Sequence, residues 1–266
     1  DLFFFFDGVT CREVGLIKIK VIGDYHTHSQ YSHGHGDILG NIESARSKGL
    51  EEIAITDHGP RTFNLIRLGV KKAEVLLEIK DKIEELNSSF SDIKILAGVE
   101  ANIINLNGDL DIPHEILGKL DIVAAGFHLL ILPPDLSSFC RIVIDNRIRY
   151  RLFSSKRTEI RDKNTEAVTN AVRQYDIDFI THPGYKVDID TYRLARVCAE
   201  NDTMLEINTR HGQLTEDFVR AASKTDVKFI INSDAHSPEQ VGDLEEGICL
   251  MKKLKLEPER VVNLLL

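Results

Sequence analysis

The sequence has few cysteines, and none lies at a spacing that binds a structural metal. Cys11, Cys140, Cys198 and Cys249 are widely scattered and form no CxxC pair. We therefore expect free thiols in a reducing compartment, and we disfavour a cysteine-ligated zinc site.

Long hydrophobic runs are also missing. The four phenylalanines at residues 3–6 are too few for the hydrophobic region of a signal peptide, and no basic segment or cleavage site accompanies them. No other stretch is long enough to span a bilayer. We expect a cytoplasmic protein without a membrane partner, in which residues 1–16 form an N-terminal extension that the sequence assigns no role.

Positive charge is in deficit, with 33 Lys and Arg against 42 Asp and Glu, a net charge of −9 and a pI near 5.6. Extended binding to nucleic acid or to an anionic membrane usually requires a basic surface, so this composition disfavours both partners. The chain also contains no G-x-S-x-G, P-loop or Rossmann glycine motif. Serine-hydrolase, P-loop and dinucleotide-dependent chemistry are therefore disfavoured.

What the sequence does contain is an alternation of short apolar β-type runs with amphipathic helical runs. Strands are predicted at 16–25, 52–56, 94–99, 120–126, 177–181, 204–208 and 228–232. Helices are predicted at 37–48, 70–86, 165–174, 191–200, 216–224, 238–254 and 258–265, and the segment 110–118 is predicted to contain a short helix after Pro113. Such alternation indicates an α/β protein with a parallel sheet, and residues 17–266 are predicted to form one domain.

Polar residues follow six of these apolar runs. They are His26, His58, Glu100, His128, His182 and Asp234. A parallel barrel gathers the ends of all its strands at one mouth, whereas an open doubly wound sheet gathers ligands mainly at a single crevice. The pattern therefore predicts an incomplete, TIM-like (β/α)7 barrel.

The stretch Asp24-Tyr-His-Thr-His-Ser begins this series. His26 and His28 alternate at the end of a strand, so both imidazoles can project to the same side. Two imidazoles aimed together suggest a metal site. One HxH motif is weak evidence, but the recurrence of His, Glu and Asp at later strand ends makes the metal interpretation the stronger one.

Taken together, these motifs resemble the PHP family, named for polymerase and histidinol phosphatase. The resemblance covers roughly residues 22–255 through HxH, a loop histidine, TDH, a lone Glu, FH, HPG and SDAH. It implies a distorted (β/α)7 barrel with a centre of three divalent ions, Zn, Mn or Fe. The implied ligands are His26, His28, His33, His58, Glu100, His128, His182, Asp234 and His236.

The resemblance also implies how these ligands are shared. One ion would take His26, His28, Glu100 and Asp234. A second would share Glu100 and take His128 and His182. The third would take His33, His58 and His236. His35 competes with His33 for its place, while His35, His114 and His211 are otherwise expected to be solvated or hydrogen-bonded histidines.

Clustered divalent cations favour hydrolysis of a phosphomonoester, because they lower the pKa of a bridging water and neutralise the charge of phosphoryl oxygens. The expected catalytic group is a metal-bridging hydroxide held by Glu100, with Asp234 and His236 at the centre. The expected substrate is a small phosphomonoester, for which histidinol phosphate is one candidate. Arg61, Lys186 and Arg210 follow strand-end motifs and are predicted to bind the substrate.

Polar residues near these motifs are predicted to support the metal ligands. Asp57 could orient a histidine ligand through a hydrogen bond, and Glu206 and Asn208 end a strand near the same mouth. Residues 137–155 are predicted to form a β-hairpin that turns at Asp145-Asn146 and carries arginines on one face.

Two other functions stay open. PHP units also occur in DNA polymerases, so a metal-dependent nuclease or proofreading module is the first alternative. Amidohydrolases use similar barrels and HxH ligands, so a metal hydrolase acting on a substrate without phosphate is the second. Metal stoichiometry and activity on phosphomonoesters would separate these possibilities.

Overall fold

The centre of the fold is a parallel sheet of seven strands, seen in a computed structural model that describes residues 20–63 and 68–265, with the backbone alone at 212–215. Its strands are β2 (Gly23–Asp24), β3 (Glu52–Ile55), β4 (Lys94–Asn102), β5 (Ile122–Gly126), β6 (Phe179–Ile180), β7 (Met204–Asn208) and β8 (Phe229–Asn232). Each strand pairs in parallel with the next one along the chain. The predicted N-terminal extension, residues 1–16, lies outside the described residues.

The first and last strands of the sheet meet just beyond the carboxyl ends of β2 and β8. Thr27 forms a parallel bridge with Ala235. The amide of His28 donates to the carbonyl of Ala235 at 2.8 Å, and the amide of Ala235 donates to the carbonyl of His26 at 3.2 Å. The sheet is therefore nearly closed, and the predicted (β/α)7 barrel is confirmed.

Helices surround the sheet. They are α1 (Ile38–Ser47), α2 (Val75–Asn87), α3 (His114–Leu117), α4 (Leu136–Phe139), α5 (Tyr150–Leu152), α6 (Arg157–Gln174), α7 (Thr191–Glu200), α8 (Gly212–Ala222) and α9 (Glu245–Lys253). Asp37 caps α1, because its side chain accepts from the amide of Gly40. The predicted helix 238–254 is interrupted between a 3₁₀ turn at Pro238–Gln240 and α9, where Gly242 adopts a φ of +76°.

Two apolar layers hold the barrel. The larger one packs the outer faces of the strands against the helices, through residues such as Ile42, Leu76 and Leu194. The smaller one consists of Tyr25, Ala54, Leu96, Ala124, Phe179 and Ile230, one from each of six neighbouring strand segments. These positions alternate with the outward-facing ones, so they fill the interior of the barrel below its mouth.

The C-terminal segment differs from the prediction. Residues 258–265 were expected to be helical, but only Pro258–Arg260 forms a 3₁₀ turn, and Leu264–Leu265 forms strand β9. This strand pairs antiparallel with β1 (Lys20–Val21). The side chain of Asn263 explains the change, because it donates to the carbonyls of Gly23 and Ile231 at 3.0 and 2.7 Å and thus bridges β2 and β8.

The predicted β-hairpin over 137–155 is wrong, because this segment is helical. Helix α4 continues into a π-helix at Cys140–Arg149 and then into α5, and a 3₁₀ turn at Ser154–Lys156 leads to α6. Asp135 caps the segment by accepting from Ser138. Asp145 pairs with Arg149 one turn later at 2.7 Å instead of forming a hairpin turn. The alternation of arginine and apolar residues was too short to distinguish the two structures.

Cys140 and Cys198 are free thiols, as the sequence predicted. Cys11 lies outside the described residues. Within the described part of the chain, no helix is both long and apolar enough to cross a membrane.

Candidate metal centre

The HxH motif lies where the first and last strand segments meet. His26 and His28 are fully buried, and their Nε2 atoms are 3.2 Å apart. The Nε2 atom of His26 lies 3.3 Å from Oε2 of Glu100, and that of His28 lies 3.3 Å from Oδ1 of Asp234. The fold thus brings together the four residues predicted to share the first ion.

Glu100, on β4, lies at the middle of the site. Its Oε1 atom is 3.1 Å from Nε2 of His128 and 3.0 Å from Nε2 of His182. Its Oε2 atom faces Nδ1 of His58 at 2.7 Å. Burial alone would raise the pKa of Glu100, but the surrounding histidines, His58 foremost, lower the pKa well below its usual value. The two oxygens of one ionised carboxylate therefore face two different sets of imidazoles.

The third predicted set also lies together. The ring of His33 is centred 4.9 Å from that of His58 and 4.2 Å from that of His236. His35 is exposed, so the geometry favours His33 over its competitor. Potential ligand atoms also converge from His28, His58 and His236, and from His58, Glu100 and His128. All nine residues line one site, while their allocation to particular ions stays a prediction.

Three of these histidines are oriented through their Nδ1 atoms. Glu206 lies 2.7 Å from Nδ1 of His26, the side-chain oxygen of Asn102 lies 2.8 Å from Nδ1 of His128, and the carbonyl of Leu68 lies 3.1 Å from Nδ1 of His33. A carbonyl or carboxylate oxygen selects the tautomer that carries its proton on Nδ1. The Nε2 lone pair of each ring is then available to a cation.

The residues fit divalent metal ions. Nδ1 of His58 and Oε2 of Glu100 are buried close together, yet neither has a hydrogen-bonding partner with acceptable geometry among the described residues. Burial also lowers the pKa of His28 and, despite the opposing charge of Glu100, that of His128. Neutral imidazole is the form that binds a metal. A set of imidazole and carboxylate donors without thiolate suits zinc, manganese or iron.

The supporting residues have different roles from one another. Glu206 accepts from the side chains of Asn208 and Asn232 at 3.0 and 3.1 Å and from the amide of His182 at 2.6 Å, in addition to holding His26. It is therefore a node that links three strand ends. Asn208 also reaches Oδ2 of Asp234 at 3.3 Å.

No histidine among the described residues hydrogen-bonds to Asp57, contrary to prediction. Its carboxylate accepts from the amide and hydroxyl of Ser29 at 2.8 and 2.6 Å and from the hydroxyl of Ser32. It thereby holds the loop that carries His33. Its backbone neighbour His58 points into the site, and a strand alternates its side chains between two sides, so the aspartate turns away.

The three predicted cations are placed differently. Arg210 reaches the site, since its Nη1 atom donates to the carbonyl of Asp234 at 3.2 Å and contacts Nδ1 of His236. Arg61 donates to the carbonyl of Leu132 at 3.2 Å. The two segments that carry these residues are also joined by an antiparallel bridge between Thr62 and Ile131. Lys186 is exposed and lies 4.3 Å from the ring of Tyr185. Only Arg210 among them contacts predicted ligands.

His211 is the residue that sequence reasoning missed. It was expected to be a solvated or hydrogen-bonded histidine and not a ligand, and its Nε2 lies 3.3 Å from Oδ2 of Asp234, which places this hydrogen-bonded histidine at the site. Its ring stacks on that of Tyr185 with 3.6 Å between centroids. Its position shortly after the end of β7 was the available signal. His114, by contrast, is exposed, stacks on Tyr175 and lies apart from the nine ligands.

Known proteins are similar to this chain over the region that contains the candidate metal centre. The PHP domain family model matches residues 24–210. A probable phosphatase from Thermoanaerobacter pseudethanolicus is 32% identical over 92% of this chain and 91% of its own length. The DNA polymerase/3′-5′ exonuclease PolX from Bacillus subtilis is 30% identical over 97% of this chain, which spans 41% of that protein.

Solved structures share the fold. A histidinol phosphate phosphatase from Lactococcus lactis, complexed with zinc, L-histidinol and phosphate, superimposes with a TM-score of 0.64 at 22% identity, covering 88% of this chain and 94% of its own. A Listeria monocytogenes protein described as a possible histidinol phosphatase superimposes with a TM-score of 0.62 at 17% identity, covering 83% and 97%. At these identities the likeness establishes the barrel architecture alone.

Proposed function

The chain belongs to the PHP domain family, and from this membership we propose that it is a metal-dependent hydrolase of small phosphomonoesters. The observation that carries the proposal is the position of Glu100. Its two carboxylate oxygens face separate groups of imidazoles, as a bridging ligand between two cations requires. We propose as ligands the nine residues that line the site.

Divalent ions held there would supply positive charge for the phosphoryl group and would activate water for hydrolysis. The chain's own residues prepare the site for this. Glu206 holds His26, and Asn102 holds His128, so each imidazole presents Nε2. Arg210 places a guanidinium beside Asp234 and His236, where it can bind an anionic phosphoryl oxygen. Phe179 lies below His26 in the apolar interior, which keeps water from reaching the site through the barrel.

The substrate class rests on chemistry and on relatives. A centre built of fixed cations and one arginine suits a dianionic phosphomonoester, because no serine or cysteine nucleophile is required. The relatives described as probable phosphatases match nearly their whole length to this chain. Histidinol phosphate is a candidate, since the Lactococcus enzyme of the same fold binds L-histidinol and phosphate. Three ions and a cytoplasmic location remain predictions from sequence.

An exonuclease is the second candidate. The similarity to PolX covers almost the whole chain, so this domain type occurs beside a polymerase. Residues 136–157 contain six Arg or Lys against one acidic residue, which gives the mouth region a basic element despite the net charge of −9. A short single strand with a free end could use such an element.

The experiment compares both substrates on one preparation. The full chain is purified without chelator or metal-affinity resin, and its metal content is measured by mass spectrometry. Turnover is then measured on a panel of phosphomonoesters that includes histidinol phosphate, and on a single-stranded oligonucleotide. We expect metal-dependent release of phosphate, lost after chelation and restored by Zn, Mn or Fe.

The outcomes are separable. Metal-dependent shortening of the oligonucleotide without phosphatase activity would favour the exonuclease. If the protein shows metal-dependent activity on neither substrate, both candidate functions are contradicted. An amidohydrolase-like reaction is then favoured. Glu100→Gln provides the control for the site, because a contaminating phosphatase would be unaffected by it.

A further inference from the structure

The helical segment formed by α4, the π-helix and α5, residues 136–152, carries an unusually apolar surface, and we call it the insert helix. Four of the twelve large apolar side chains that are exposed in the described part of the chain lie on it, and three more, Leu130, Leu132 and Phe153, flank it. Exposed apolar residues scattered singly need no explanation, but a concentration of them marks an interaction surface.

The insert helix has two distinct faces. Ser138, Ile142, Asp145 and Asn146 are buried against the body of the protein. On other positions of the same helix, Leu136 is 77% exposed, Ile148 is 46% exposed and Leu152 is 69% exposed. The exposed apolar residues lie at both ends of the helix, Leu136 and Phe139 near its start and Ile148 and Leu152 near its end, with the half-buried Val143 and Ile144 between them. We name Leu136, Phe139, Ile148 and Leu152 the apolar ridge.

The ridge is held in a fixed position. The amides of Asn146 and Asn164 donate to each other's oxygens at 3.0 and 2.8 Å, which ties the insert helix to α6. The hydroxyl of Tyr150 donates to the carboxylate of Asp188 at 2.8 Å, in the loop that follows β6. A surface preformed in this way loses little conformational entropy on association.

Charge along the insert helix is asymmetric. Asp135 caps its amino end, whereas the exposed Arg147, Arg149 and Arg151 lie at its carboxyl end. Arg149 pairs with Asp145, but among the described residues no carboxylate lies within ion-pair distance of Arg147 or Arg151. Two copies of this helix in parallel would bring their arginines together, while an antiparallel pair would place each basic end beside the partner's acidic end.

From the ridge and the charges, we propose that the insert helix is the interface at which two copies of this chain associate about a two-fold axis, with their insert helices antiparallel. Leu136 and Phe139 of one copy would pack on Ile148 and Leu152 of the other, as a self-complementary interface requires. Asp135 would face the otherwise unpaired Arg151. The net charge of −9 disfavours an anionic lipid surface as the occupant.

Sedimentation velocity and light scattering of the full chain, from about 1 to about 100 µM, test the proposal. We expect a dimer whose dissociation constant rises about 100-fold in the Ile148→Glu/Leu152→Glu variant, because charge is placed in the centre of the interface. Leu39→Glu, at an exposed leucine of α1, is the matched control and is expected to leave the dimer unchanged.

Substitutions of charged residues test the antiparallel orientation of the two insert helices. Arg151→Glu should weaken the dimer about tenfold by facing Asp135, and adding Asp135→Ser, which retains a capping hydroxyl, should recover part of the loss. Arg173→Glu, on the exposed end of α6, controls for net charge. Thermal unfolding followed by circular dichroism confirms that each variant is folded.

Three outcomes would overturn the proposal. They are a monomer at every concentration, a dimer that survives Ile148→Glu/Leu152→Glu, and a monomer that instead co-sediments with anionic vesicles through this face. None of these measurements depends on metal content or turnover, so the result is independent of the proposed enzymatic activity.

Discussion

Glu100 is the residue on which most of the site depends. Its buried carboxylate is surrounded by His26, His58, His128 and His182. Replacing it by glutamine removes the negative charge that binds cations and leaves the histidines without their shared partner. We expect Glu100→Gln to lose at least part of the bound metal and about 1000-fold in kcat/KM.

Metal analysis and phosphatase kinetics of the Glu100→Gln variant test this expectation. Glu51→Gln is the control, because Glu51 is exposed and pairs with Lys20 on the surface, away from the site. Full metal content and full activity in Glu100→Gln would contradict the central position of this residue.

Asp111 acts on the site through a neighbour. Its carboxylate accepts from the amide and the side chain of Asn102 at 2.8 and 2.7 Å, and the side-chain oxygen of Asn102 accepts from His128 at 2.8 Å. Asp111→Asn would let the Asn102 amide turn its NH₂ group towards His128. We expect a 10- to 100-fold loss of metal affinity or activity, the usual effect of removing such a support.

Asp109→Asn is the matched control, two residues away, because Asp109 hydrogen-bonds with Asn105 outside the site. Metal titration measures the metal affinity of both variants. General destabilisation would not lower that affinity in one variant alone. Equal affinity in the two variants would contradict a positioning role for Asp111.

His33 and His236 make the metal-free protein sensitive to acid. Burial, together with the charge of His58, lowers the pKa of His33 to about 3, and burial lowers the pKa of His236 to about 4. An unfolded histidine titrates near 6.5. Between about pH 6.5 and 4 the unfolded chain therefore binds protons that the folded chain does not, and the free energy of unfolding falls as pH falls.

Denaturant unfolding of chelated protein at pH 7 and pH 5 measures this loss, to which His33 contributes at most about 2 kcal/mol. His33→Asn should show a weaker dependence on pH than the unsubstituted protein. His35→Asn, at the exposed histidine two residues later, should retain the full dependence. A pH dependence unchanged by His33→Asn would contradict the prediction.

At the scale of the element, the insert helix is attached through a buried pair of amides. Asn146 and Asn164 exchange two hydrogen bonds, and Asn164 also donates to the carbonyl of Asp188 at 3.0 Å. Removing one partner leaves the other buried and unsatisfied. We expect Asn146→Ala and Asn164→Ala each to lower the free energy of unfolding by about 1–3 kcal/mol.

The double variant should cost less than the sum of the single ones, because the second substitution removes a group that the first has already left unpaired. Denaturant unfolding of all four proteins gives the coupling energy. Ser137→Ala, at an exposed position of α4, is the control. Strict additivity would contradict the amide pair.

At the scale of the whole molecule, the site joins the two ends of the sheet. His26 and His28 follow the first strand of the barrel, while Asp234 and His236 follow the last, and the bridge between Thr27 and Ala235 joins the two ends beside these ligands. Ions bound by both ends should therefore stabilise the closed barrel. At a free metal concentration 1000-fold above Kd, this adds about 4 kcal/mol to the free energy of unfolding.

Thermal unfolding before and after chelation measures the effect, and readdition of metal should restore the original midpoint. Calcium is the control ion, since its preference for oxygen ligands makes it a poor match for imidazoles. A midpoint that does not move on chelation of metal-loaded protein would contradict the link between the site and the barrel.

Much of this arrangement was determined by the sequence itself. Short apolar runs and the polar residues that follow them identify strands and strand ends locally, and a parallel barrel then brings all such ends to one mouth. This is why the (β/α)7 fold and a polar cluster of His26, His58, Glu100, His128, His182 and Asp234 could be predicted, whereas the full set of nine ligands was implied by the resemblance to the PHP family. Their grouping around Glu100 follows from topology rather than from any detailed contact.

Only the tertiary structure decided which residues support them. His211 reaches Asp234, Asp57 holds Ser29 instead of a histidine, and Asn102 links Asp111 to His128. These contacts join residues far apart in sequence or depend on the direction of single side chains, so no local pattern encodes them. The insert helix was mistaken for a hairpin for the same reason, because packing on α6 and the Asp188 loop outweighs a short alternation of arginine and apolar residues.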